Sequence, residues 1–165
     1  MSSYSDLLKQ VAYGKNKEDD RLPQINFALI FGETSGLPFY YRKLAGNIPD
    51  VKTVLNLLAD FNALGFEKIK LVMDRGFYSA ANINALMKEH LKFLISVRTS
   101  LSWVHKELDK VYDTLDTFEN LDAQYDLYAL TVRTDWVYTQ DRPYKGDRIK
   151  EKRRVYLHLY YVSVK

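Results

Sequence analysis

Asp74 is the side chain of this sequence best placed to do chemistry. It closes a short apolar run, Ile69 to Met73, that only Lys70 interrupts, and Arg75 and Gly76 follow it directly. A carboxylate at the carboxyl end of a strand stands where open α/β sheets bind ligands, because loops and helix N-termini gather polar groups there around a dry core. Gly76 lets the backbone bend or approach a ligand closely, and Arg75 offers a fork matched to phosphate oxygens. The combination points to a metal-binding carboxylate beside a phosphate-bearing substrate. The structural alternative is that Asp74 caps the turn after its strand, a common use of aspartate. One carboxylate cannot hold a pair of magnesium ions, which need octahedral shells of several oxygens. Asp50, Asp60 and Glu89 fall on predicted helices or their caps and Glu33 in a predicted turn; none is an obvious second ligand.

The second candidate is electrostatic. Residues 142–154 hold seven Lys or Arg residues against Asp147 and Glu151, in a chain whose net charge is only +3. Lys145, Arg148, Arg153 and Arg154, together with Arg75, are the candidate phosphate contacts, with a solvated loop as the alternative reading of the run. His90, His105 and His158 lie in separate contexts without the spacing of a zinc site. They read as structural, His90 closing a helix and His158 alternating along a strand. With no cysteine in the chain, disulfides, thiolate metal sites and a catalytic cysteine are excluded, and an intracellular setting is favoured. Neither a Gly-x-Ser-x-Gly elbow nor a Gly-rich phosphate loop is present, which disfavours hydrolase triads and nucleotide-binding loops.

These residues need elements to hold them. The chain's 165 residues suffice for one domain with a small subdomain attached. Ile25, Phe27, Leu29 and Phe31 alternate with Asn26, Ala28 and Ile30, the period of a well-buried strand. Glu33-Thr34-Ser35-Gly36 turns the chain into a second alternating run, Leu37 to Arg42, so the two predict an antiparallel hairpin. Asp50 is the predicted N-cap of a helix whose apolar stripe is Val51, Val54, Leu55, Leu58 and Phe61, with Gly65 closing it. The run ending at Asp74 is the next strand. Ser79 caps a helix from Ala80 to His90, and Phe93 to Val97 forms a second buried strand, predicted to lie parallel beside the first.

From Thr99 to Asn120 no clean period is evident, and a subdomain boundary is placed at 98/99. Alternation over Leu127 to Arg133 and over Val155 to Val164 predicts strands flanking the basic segment, hence a β-rich appendage. No apolar run approaches the roughly 18 residues of a membrane helix. The start, Met1 to Asp6, has no signal-peptide pattern. A soluble, cytoplasmic protein is expected.

The order of elements resembles the middle of an RNase H-like fold, and the residues resemble insertion-sequence transposases of the DDE class. The resemblance is carried by Ser2 to Ser5, Leu22 to Asn26, Gly36-Leu37-Pro38, Tyr41-Arg42, Gly46 to Val51 and, most specifically, Val72-Met73-Asp74-Arg75-Gly76-Phe77-Tyr78-Ser79. It extends over essentially the whole chain. It implies that Asp74 is the second aspartate of the family's Asp-Asp-Glu triad, a catalytic residue that binds Mg2+ or Mn2+ in the complete enzyme. The family's first aspartate stands just upstream of the segment resembling Ser2 to Leu8, where this chain has Met1. Its glutamate lies on a helix beyond the β-rich insertion, in a motif of Tyr, Arg, Glu and Lys; Tyr144, Arg148 and Glu151 follow that order without the Lys and are read as coincidence. The expectation is therefore an α/β chain with a mixed sheet and flanking helices that lacks the first strand and last helix. Residues 1–98 would be a partial catalytic core and residues 99–165 a β-rich insertion, truncated inside a strand at its end.

In full-length form such a protein would cut DNA with metal-activated water and join the freed 3′-hydroxyl to a target, in DNA transposition and recombination. Its partner would be DNA, transposon ends and target, with a homodimer left open and no membrane. The chain alone is expected to be inert and to hold no metal tightly. The alternative is a non-catalytic DNA-binding or assembly remnant that uses the basic segment. A third reading, an unrelated α/β enzyme with Asp74 as nucleophile, lacks the further acid and Lys or Thr it would require.

Overall fold

The computed structural model describes residues 12–13, 23–47, 50–66, 69–141, 146 and 148–162, and the chain is a mixed α/β protein. It divides into two compact units, residues 1–70 with 76–82 and residues 71–75 with 83–165. In the first unit the predicted hairpin forms. Strand β2 (Pro23–Phe31) pairs antiparallel with β3 (Pro38–Ala45), and the short β1 (Ala12–Tyr13) pairs with the start of β2. The connecting turn is closed by the Gly32 N–H on Leu37 O at 3.0 Å, with Gly36 at φ +62, a conformation glycine takes without a Cβ penalty. Pro38 opens its strand opposite Phe31, beyond a register irregularity, where its missing N–H disturbs the ladder least.

Helix α1 (Asp50–Ala63) buries Val54, Leu57, Leu58 and Phe61, positions three and four apart along one face. Leu55, expected in that stripe, is exposed, and Leu57 takes its place. Asp50 opens the helix, and the side chains of Asp50 and Val51 lie outside the described residues. Gly65 ends the helix as expected. At φ +74 it lets Phe66 N–H reach Phe61 O at 3.0 Å and its own N–H reach Asn62 O at 3.3 Å. The Phe61 and Phe66 rings meet edge to face at 5.7 Å across this Schellman-type cap.

The hairpin departs from expectation in its burial. The face carrying Tyr40 and Arg42 meets α1 through the Tyr40–Phe61 ring contact and the Arg42–Asp60 ion pair. The opposite face, with Phe27 43%, Leu29 52%, Phe31 54% and Tyr41 62% exposed, is uncovered among the described residues. Alternation predicted the strand; it did not predict which face finds a partner.

In the second unit β4 (Lys70–Met73) and β5 (Lys92–Ile95) are hydrogen-bonded neighbours, and Ser96 N–H extends the pairing to Met73 O at 3.1 Å. Helix α2 (Ala80–Lys88) lies between them in sequence. Its predicted cap is present: Ser79 Oγ accepts from Asn82 N–H at 3.1 Å. The segment expected to have no clean period instead forms α3 (Ser102–Asp109) and two short 3-10 turns. Leu101, Val104, Leu108, Val111 and Leu115 stand at helical three-and-four spacing, and all belong to one core with Leu157 and Leu159. The appendage is thus not all β.

Its remaining sheet joins β6 (Leu121–Asp122), β7 (Leu127–Asp141) and β8 (Arg148–Tyr161) in antiparallel order. The long ribbon runs in unbroken register from Tyr128↔Tyr161 to Asp141↔Arg148. The basic run from Arg148 to Arg154, expected as a charged loop, is strand. Its odd positions Ile149 and Arg153 continue the inward face of Val155, Leu157 and Leu159, and cross-strand pairing with β7 supplies the backbone partners that a loop would lack.

Candidate functional site

Asp74 follows β4 directly, at the carboxyl end of the strand, as the sequence predicts. The strand itself is covered on one side only: Leu71 is buried and Val72 exposed. The chain then enters a 3-10 turn, Arg75–Phe77. Asp74 Oδ1 accepts the Arg75 backbone N–H at 2.5 Å, which fixes one carboxylate oxygen and leaves the exposed group facing water. Arg75 is exposed beside it. Asp74 therefore sits where a substrate or ion could reach it. Among the described residues, no three His, Cys, Asp or Glu side chains come together to hold a metal ion, and a single carboxylate is too few oxygens for a hard divalent cation. The described residues do not build a metal site on their own.

Two of the acids weighed as further ligands are occupied or set apart. Asp60 accepts from Arg42 Nη1 and from the Tyr40 hydroxyl. The Arg42 guanidinium, then the Tyr40 bond, holds the Asp60 carboxyl below its ordinary range, while the same carboxylate raises the Tyr40 phenol. Glu33 lies in the β2–β3 turn. In the second unit Glu107 is lowered by its ion pair with Lys110 at 2.8 Å, and it also accepts from the Thr134 hydroxyl at 3.0 Å.

The predicted phosphate contacts separate by strand parity. Even positions of β8 point outward: Arg148, Lys150, Lys152 and Arg154 are exposed. Arg153 points the other way. Its guanidinium stacks on the buried Tyr138 ring with 3.6 Å to the centroid, donates Nη1–H to Met87 O at 3.0 Å and Nε–H to Glu151 at 2.6 Å. A planar cation satisfied by a ring face, a carboxylate and a last-turn helix carbonyl is a structural tie. A second tie stands beside it: Asn84 of α2 accepts from Trp136 Nε1 at 2.9 Å and donates to Thr139 Oγ1 at 2.8 Å. Lys145 lies outside the described residues.

The histidines hold structural positions. His90 follows α2 at φ 55, with its N–H on Met87 O and Leu91 N–H on Leu86 O, and His158 Nδ1 lies 2.9 Å from Thr131 Oγ1 across the ribbon. His105, unplaced by the sequence, is on α3 at 3.5 Å from Asp109.

An accessible strand-end carboxylate and a basic antiparallel ribbon share one compact unit, and the chain is, as a class, a mixed α/β protein. The family model described as the Transposase DDE domain matches residues 5–158, and the chain belongs to that family. Its function is of the transposase type. No curated protein and no solved structure matches the chain. Among the described residues no helix is long and apolar enough to cross a membrane.

Proposed function

We propose that this chain serves DNA cleavage and strand transfer by a divalent-metal-dependent transposase, with Asp74 as one of the metal-binding carboxylates of an RNase H-like core. The observation that carries this reading is the placement of Asp74: an exposed carboxylate at the carboxyl end of β4, fixed through one oxygen by the Arg75 N–H, in a chain that matches the Transposase DDE domain almost end to end. Mg2+ or Mn2+ would supply Lewis-acid chemistry at the phosphodiester. Among the described residues, the chain would bring to that site the Asp74 carboxylate and a phosphate-sized fork at Arg75. In this reading residues 1–98 would belong to the catalytic core and residues 99–165 to its insertion.

The test is genetic and biochemical. In a transposition assay with the gene that encodes this chain, Asp74→Asn is expected to abolish excision and joining at unchanged protein level. An Asp74→Asn protein that still transposes would remove Asp74 from the chemistry.

A further inference from the structure

The basic run reads as one patch in sequence and as two groups in space. Arg148, Lys150, Lys152 and Arg154 recur on one face of β8 at every second residue, about 6.8 Å apart. Across the ribbon Arg133 stands opposite Tyr156 on that same face, both exposed, and the facing acids are Asp135 and Asp141. Five cations thus outnumber two carboxylates. The existing pairs leave these cations in water: Arg148 meets Asp141 at 2.9 Å and Lys152 meets Asp135 at 3.9 Å, each with more than half of its side chain exposed. Such exposed pairs contribute little to stability, so the face is not explained by what it does for the fold. Beside it lies an open cleft of about 500 Å³ where Arg133 and Lys152 converge with Lys110, the residue that follows α3, alongside the acids Glu107 and Asp135; it is ample for a hydrated phosphate rather than a single water. The opposite, inward face is held to α2 and α3 by apolar packing and by the Arg153 and Asn84 ties.

We infer that the outward face of the β7–β8 ribbon binds the phosphodiester backbone of duplex DNA, with Arg133, Lys150, Lys152 and Arg154 as its contacts and Arg153 as the inward-facing, partly buried tie that holds the ribbon to α2. The charge complementarity selects a polyanion, and a two-stranded antiparallel ribbon is a shape that duplex DNA accommodates in its major groove or along its backbone. The exposed Tyr156 hydroxyl extends the face with a neutral phosphate donor. The inference rests on the transposase reading only for the identity of the polyanion.

The experiment is fluorescence anisotropy of the full chain with a short DNA duplex of arbitrary sequence, in chelator, over a series of salt concentrations. The combined variant Arg133→Gln, Lys150→Gln, Lys152→Gln, Arg154→Gln is expected to lower the salt slope by about 3 to 4, near 0.9 for each lost contact, and to weaken binding at least roughly tenfold. Replacing the two arginines alone by lysine should preserve the slope and so separates charge from folding. Arg153→Met should lower the thermal midpoint while leaving the slope of the folded protein unchanged. An unchanged slope in the four-site variant overturns the inference. Because metal is excluded, these outcomes are independent of Asp74: an Asp74→Asn protein that still transposes would sink the catalytic reading and leave the duplex affinity in place.

Discussion

The β2–β3 hairpin and the β7–β8 ribbon are both antiparallel pairs with one face on a helix, α1 for the hairpin and α3 with the end of α2 for the ribbon. Their other faces differ in kind. The hairpin presents Phe27, Leu29, Phe31 and Tyr41, whereas the ribbon presents Arg133, Lys150, Lys152 and Arg154. An apolar face of this size in water loses the free energy its burial would give, about 25 cal/mol per Å2. A charged face needs no cover and keeps its groups hydrated. Alternation alone therefore identifies a strand with two distinct faces, and the chemistry of the outer face says whether water is its natural neighbour.

The comparison can be broken most severely from the hairpin side. A Cβ at Gly46 would lie 2.3 Å from Gln24 O and 2.4 Å from Ala12 O, both backbone atoms that cannot step aside. Gly46 O also receives the Gln24 amide at 3.2 Å. Gly46→Ala is expected to cost more than about 3 kcal/mol in chemical denaturation, with hydrogen exchange showing the hairpin amides lose protection first. Equal early loss in the ribbon amides would show that the two elements do not stand or fall separately.

A smaller effect is expected at the polar junction of the hairpin with α1. Because Arg42 depresses the Asp60 carboxyl, that group stabilises the fold fully above the unfolded value near 4, and the contribution is lost as pH falls through the depressed folded value. The raised Tyr40 phenol works in the opposite sense: its contribution is present below its ordinary value near 10 and lost as pH rises through the folded one. Asp60→Asn should therefore lower stability at neutral pH by about 1 kcal/mol, the partial exposure of the pair limiting the size. The difference from the parent should vanish towards pH 2, as thermal unfolding across pH would record.

The smallest expected effect sharpens the contrast of outer faces. Leu29→Lys on the hairpin and Lys152→Ala on the ribbon should each change stability by less than about 0.5 kcal/mol, since neither side chain is packed. Their solution behaviour should diverge: Leu29→Lys should reduce self-association in light scattering, and Lys152→Ala should not. A cost of about 2 kcal/mol or more for Leu29→Lys would mean that its face is covered in solution.

What depended on neighbours in the chain was legible from residue types. The hairpin turn at Gly36, the helix closed by Gly65, the Ser79 cap and the strand that ends in Asp74 all follow from local φ/ψ preference, capping and short-range periodicity, and the structure contains each of them. Helix α3 carried a usable signal in Leu101, Val104, Leu108, Val111 and Leu115, masked by the polar and aromatic residues between them. Asp74 was thus located by its sequence, down to the strand end it occupies. The sorting of the basic run was not. Arg153 and Arg154 are adjacent and chemically identical, and only the register of β8 on β7 turns one onto Tyr138 and Met87 and the other into water. Strand pairing fixes parity through partners far away in sequence, so which cation holds the fold together and which faces solvent was decided by tertiary structure alone.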